Sequence, residues 1–321
     1  MKKIIILVMV LVLAFSFAAC GSRQADQSDL TKEPSVSSEE ETVVLPEDFV
    51  VPTIEQTELA NEKGIIITAK ELIYDPSEGW GLTVTMENHS ENNISVQTDE
   101  LAVNHHEISH AGMMDMDVFD VEAGQSLTGT FHFGYDSFFR HQTFEFLHMT
   151  SITDIEISFY ILKTFQAPGD PRVYNEEFFT SDVVELHTSE YANGPQTASI
   201  SGGVEIYNES GLRIVAKCIE SDKSEYALET MIFIDNQSEE SFYIKVDDLQ
   251  VNNMLPVVGM QCGVNPNRTA ISCAYYTDND LQEVGIVSPI TSASMGILIQ
   301  KEFLGDILQE IPPHEVPIES E

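Results

Sequence analysis

"ENHSENNISVQTDELAVN", from Glu87 to Asn104, returns later in the chain as "DNQSEESFYIKVDDLQVN", from Asp235 to Asn252. A second pair of matching strings, "NEKGIIITAKELI" from Asn61 and "NESGLRIVAKCIE" from Asn208, lies at the same separation of 147 to 148 residues. A constant offset across two blocks is the signature of tandem duplication. Inside each copy the apolar residues change parity at an acidic pair. Ile94 and Val96 give way to Leu101 and Val103 across Asp99-Glu100, and Ile244 and Val246 give way to Leu249 and Val251 across Asp247-Asp248. A side-chain period of two that slips by one residue predicts a β-bulge or bend at each pair.

Working outward, the flanking segments read as strands. "LTVTMEN" sets Leu82, Val84 and Met86 on one face and Thr83, Thr85 and Glu87 on the other. "DIEISFYIL" alternates Ile155, Ile157, Phe159 and Ile161 with Glu156, Ser158 and Tyr160. Repeated half-buried strands between turn residues predict an all-β, antiparallel sandwich for each copy. "YDSFFRHQTFEFL" from Tyr135 breaks the alternation and is expected to hold the one short helix.

The chain begins with Lys2, Lys3 and an apolar run from Ile4 to Ala14, too short for a transmembrane helix of about 20 residues. "FSFAACGS" then resembles a bacterial lipobox, with Phe17 where Leu or Val is usual. That resemblance implies cleavage before Cys20 and a diacylglycerol on its sulfur, a two-chain anchor holding the protein on the extracytoplasmic face of the cell membrane. The alternative is a plain secretory signal with a coincidental cysteine. Residues 20–58 are rich in Ser, Glu, Asp, Thr and Pro and are expected to form a disordered acidic tether. The expected order is a lipoprotein signal peptide at 1–19, the tether at 20–58, a first sandwich at 59–190, a linker at 191–205, a second sandwich at 206–303 and a tail at 304–321. A net charge of −38 disfavours nucleic acid as a partner.

"ENHSENNISVQTDELAVN", the acidic-Gly turn in "VEAGQSLTGTFHF", and "ITDIEISFYIL" followed by "DVVELHT" resemble the immunoglobulin-like, telokin-like repeats of uncharacterised secreted lipoproteins of Gram-positive bacteria. The resemblance spans most of 60–190 and, more weakly, 206–300. It implies immunoglobulin-like sandwiches and brings no catalytic residues. No GxSxG elbow, HExxH, P-loop or GxGxxG motif is present, so a non-catalytic binding or surface-interaction module, meeting an extracellular or cell-envelope protein or glycan, is the expected role.

One stretch carries a second reading. "NHHEISHAGMMDM" offers His105, His106, His110, Met113, Met114 and Met116, a donor set suited to copper. On a strand, His106 and His110 lie about 13 Å apart, so a neighbouring strand would have to complete the site. The matching "NNMLPVVGMQCGV" explains the same stretch as strand end, loop and return strand. Beyond Cys20 the cysteines are Cys218, inward by parity, and Cys262 and Cys273, which flank "NPNR" and are candidates for a disulfide across a hairpin.

Overall fold

The computed structural model describes residues 50–75, 79–108, 117–133, 146–166, 172–220, 226–256 and 259–320. The helix expected from Tyr135 falls outside them. The first repeat contributes β1 (Thr57–Glu62), β2 (Ile65–Asp75), β3 (Gly79–Asn88), β4 (Asn93–Val103), β5 (His106–Glu107), β6 (Phe119–Val121), β7 (Ser126–His132), β8 (Asp154–Gln166), β9 (Val173–Thr180) and β10 (Val184–His187). The second contributes β11 (Val204–Glu209), β12 (Leu212–Glu220), β13 (Leu228–Asn236), β14 (Phe242–Val251), β15 (Gln261–Val264), β16 (Arg268–Tyr276), α1 (Asp278–Glu283), β17 (Ala293–Gln300), β18 (Ile307–Val316) and β19 (Ile318–Ser320).

The fold is all-β, and the two repeats build it alike. In the first, the sheet β1-β2-β3-β7 packs on a layer in which β4 pairs with β6 and β8; in the second, β11-β12-β13-β16 packs on β15-β14-β17-β18. The parity expected from the sequence holds: Leu82, Val84, Met86, Ile155, Ile157, Phe159 and Ile161 are fully buried between the layers. Each such side chain contributes roughly 1.5–3 kcal/mol of hydrophobic stabilisation. Both bulges are present, with the β4–β8 register shifting between Thr98 and Leu101 and the β14–β17 register between Val246 and Asp248.

The turn after each β3-type strand is built by one asparagine. Asn88 takes the Ser90 amide and hydroxyl on its side-chain oxygen and donates to the carbonyls of Asn92 and Val121. Asn236 does the same with Ser238, Glu240 and Val264. These "NHS" and "NQS" turns are therefore structural, each an Asx-type turn with its asparagine fully buried.

The repeats do not stand apart. The outer layer of the first continues into the inner sheet of the second as β10-β8-β4-β5-β16-β13-β12-β11, with β5 lying parallel to β16 through His106 and Thr269. Val215 and Phe233, on the outer face of β12 and β13, join the first repeat's core beside Leu147 and Ala198. Burial on both faces explains why β13 is buried almost throughout and carries the unbroken apolar run of Met231, Ile232, Phe233 and Ile234.

Several segment boundaries differ from the expectation. Residues 50–54, assigned to the tether, are tied to the first repeat by bridges from Val50 to Ser151 and Ile54 to Thr188, because Pro52 and Ile54 are buried or half-buried there. The 191–205 linker is pinned as well: the Ser199 amide donates to the Leu147 carbonyl and the Thr150 amide to Gln196. Residues 304–321 were expected as a tail, yet β18 completes the outer layer of the second repeat and β19 pairs parallel with β12. Ile311 and Val316 are the anchors, apolar residues spaced too widely by the intervening "PPHE" to read as a strand. The helix α1, capped by a Thr277–Asp280 box, was not anticipated.

Candidate functional site

At Val103 the chain leaves β4 and turns back within two residues. Asn104 and His105 both adopt left-handed φ, 52° and 57°, as a two-residue hairpin turn demands, and their counterparts Asn252 and Asn253 do likewise at 49° and 62°. Asn104 is fully buried and fastens the turn to the start of β8. Its side-chain oxygen accepts from the Thr153 amide at 2.7 Å and the Thr153 hydroxyl at 3.0 Å, while its amide donates to the Ser151 carbonyl. Asn252 repeats the pattern with Thr291 and Ser292. The scaffold thus requires the asparagines, and leaves the next position to vary.

In the first repeat that next position is His105, poised over the outward face of β8. Its Nδ1 lies 2.5 Å from Glu156 Oε1 and its Nε2 3.8 Å from Asp154 Oδ1. A carboxylate only accepts, so the contact places a proton on Nδ1. The hydrogen bond to Glu156 raises the imidazole above its ordinary value. Burial pushes the Asp154 carboxyl up, against the Thr153 hydroxyl that bonds its other oxygen. Burial also opposes ionisation of Glu156, and its partners His105 and Arg268 outweigh that and hold it low.

Arg268, the first residue of β16, closes the site from the second repeat. Its guanidinium is 7% exposed and reaches Glu107 at 3.0 and 3.1 Å, Glu156 at 2.5 Å and Glu100 at 3.1 Å. Burial pulls the guanidinium down, and the surrounding carboxylates more than reverse it. Glu100 reaches Arg268 from the β4 bulge; re-aiming a side chain is what such a bulge does. The junction sets the Arg268 guanidinium and the His105 imidazole against four carboxylates: Glu100, Glu107, Asp154 and Glu156.

Of the copper set only His105 and His106 lie among the described residues, and they take different partners. His106 turns away from His105, is fully buried, and bonds Thr269 Oγ1 through Nδ1 at 2.8 Å. His110, Met113, Met114 and Met116 lie outside the described residues, as does Cys20. His132 pairs with Asp117, and Met149 is core. The expected Cys262–Cys273 disulfide is absent: β15 and β16 do not form a hairpin but belong to different sheets, paired with β14 and β13 respectively. Cys218 is buried as expected, and burial pushes its thiol up to about 12. Asp154, Glu156 and Arg268 were not singled out from the sequence. The signal available was Asp154 and Glu156 alternating with core isoleucines in "DIEISFYIL"; nothing in the sequence pointed to Arg268, which is 112 residues away from Glu156.

No protein-family model matches the chain, and no curated protein matches it. Among solved structures, the YadV chaperone is 12% identical, with 78% of this chain and 99% of that chain covered at a TM-score of 0.21. The CsuC–CsuE chaperone–tip adhesion subunit pre-assembly complex of Acinetobacter baumannii is 9% identical, with 76% and 94% covered and a TM-score of 0.22. A protein of unknown function from Porphyromonas gingivalis W83 is 10% identical, with 85% and 96% covered and a TM-score of 0.20. Likenesses this distant assign neither ligand nor partner.

Proposed function

We propose that the protein is an extracytoplasmic lipoprotein, anchored to the cell membrane through a diacylglycerol on Cys20, whose paired immunoglobulin-like sandwiches serve as a non-catalytic surface-interaction module. The observation that carries the interaction reading is an apolar edge on the second repeat. Phe303, Leu304, Ile307 and Leu308 are 57%, 78%, 55% and 52% exposed, close together at the turn into β18. A contiguous exposed apolar patch marks a contact surface more often than an ordinary solvated one.

That patch borders an open strand edge. β18 pairs with β17 on one side only among the described residues, and Pro312 and Pro313 block its far half from pairing further. Ile307 to Glu310 contain no proline, and the backbone groups facing away from β17 form a short edge on which a partner's extended segment could add a strand. The partner is expected to be a cell-envelope or extracellular protein.

Two measurements test the reading. Cys20→Ala should release the protein from the membrane fraction and abolish labelling by a radioactive fatty acid. A photo-crosslinker at Leu304 should yield a discrete adduct on intact cells, and that adduct should vanish when Ile307→Glu is added. Persistence of the adduct would refute the apolar edge as the contact.

A further inference from the structure

We propose that His105 Nε2 and Asp154 Oδ1 bind one divalent cation of the zinc class, with Glu156 as the residue that positions the imidazole. The three side chains bring one nitrogen and two carboxylate oxygens within 4.8 Å of one another. Glu156 accepts the Nδ1 proton and so leaves the Nε2 lone pair turned toward Asp154. A carboxylate that orients a histidine from its far side is the usual second partner of a metal-binding imidazole.

The decisive feature is Asp154. Its side chain is 1% exposed, its Oδ2 accepts from Thr153, and its Oδ1 has no hydrogen-bond partner among the described residues. Burying a carboxylate oxygen without a donor is costly, and a cation at Nε2 removes the cost. The junction has carboxylates in excess of cationic side chains, so a dication also narrows its charge imbalance. The imidazole ring is 40% exposed, which leaves an entry path and room for water ligands. In register with Glu156 and Asp154 on β10 stand Glu185 and His187, two further donors on the same face.

The second repeat supplies the control. Strand pairing matches Val103–Ile155 with Val251–Ala293, so His105, Asp154 and Glu156 correspond to Asn253, Ser292 and Ser294. The same hairpin and strand fold there without an ionisable group. The His-Asp-Glu set is therefore not a requirement of the scaffold. A nitrogen donor beside carboxylates suits Zn(II) and its first-row neighbours better than a hard cation such as Ca(II).

The test is titration of the full chain, in detergent, with Zn(II) against a chromophoric chelator, and with Co(II) followed by its visible absorption. One equivalent should bind. His105→Asn and Asp154→Ser, which copy the second repeat, should each weaken Zn(II) at least about tenfold, the scale on which site residues alter metal affinity. His110→Asn should leave it unchanged. Thermal melts report whether each variant folds. Should either fail, the imidazole resonances of the unaltered protein decide: Zn(II) must perturb His105 ahead of the other histidines. Absence of stoichiometric binding overturns the proposal. So does binding that survives both substitutions, or that depends on His110 alone. None of these outcomes bears on the apolar edge at 303–308.

Discussion

Arg268 of the second repeat holds Glu107 of the first through a single nitrogen that reaches both carboxylate oxygens, at 3.0 and 3.1 Å. The two residues stand 161 positions apart in sequence and both are almost fully buried. Removing one member of such a pair strands the other charge. Arg268→Ala should therefore destabilise the protein by about 3–5 kcal/mol. Arg268→Met together with Glu107→Leu should recover part of that loss, since paired apolar replacement leaves fewer charges stranded. Urea unfolding of the two variants checks both, and an equal loss in each would show that the pair itself contributes net stability.

The two turn asparagines should differ in their importance. Asn104 is fully buried and makes its bonds out of water, whereas Asn252 is partly exposed. Asn104→Ala should cost about 2–4 kcal/mol, combining lost hydrogen bonds with the strain of a left-handed alanine. Asn252→Ala should cost less. Asn104→Gly removes the backbone strain alone, so its smaller loss in thermal unfolding would apportion the two effects.

The last strand should loosen in acid. Glu319 meets buried Lys217 at 2.8 Å and accepts the Gly203 amide; burial opposes its ionisation, and these partners win and hold its carboxyl below the ordinary value. A group held low contributes stability above its unfolded value, near pH 4.3, and loses it as pH falls through the folded value. Glu319→Gln should accordingly lower the urea midpoint at pH 7, with the gap to the unaltered protein closing as pH falls below the unfolded value. Gly202→Ala should mimic the variant, because a Cβ there would sit 2.3 Å from Glu319 Oε1.

The thiols should prove inert rather than bonded. Cys218 and Cys262 are buried and their thiols are pushed up by that burial, Cys218 to about 12. Thiolate is the reactive form. At pH 8 the native protein should label slowly at both positions, and all the cysteines of 206–321 should label after denaturation without reductant. A mass two units low on Cys262 and Cys273 peptides would contradict this.

Where side-chain period governs, the sequence was a faithful guide. The strands around Leu82 and Ile155 and both acidic bulges follow from alternation alone, and the structure has all of them. What escaped depends on partners distant in sequence. The burial of β13 on both faces needs Leu147 and Ala198 from elsewhere, and Glu107 and His106 gain their roles only once Arg268 and Thr269 are docked beside them. The Cys262–Cys273 pairing failed for the same reason: adjacency in sequence suggested a hairpin, and the chain crosses between sheets instead. Even the turn at Asn104-His105 was visible only as a strand end, since Asn-His is a rarer entry to left-handed φ than Asn-Gly.

The two-residue strand β5 makes the repeats share backbone hydrogen bonds as well as side chains. Between the bridge at Val50 and the edge at Leu304, a mechanical load can pass through paired strands and a buried ion cluster without depending on the covalent linker. On the proposed reading the tandem is a bracket: a partner docked at one end would be held at a set bearing to the other.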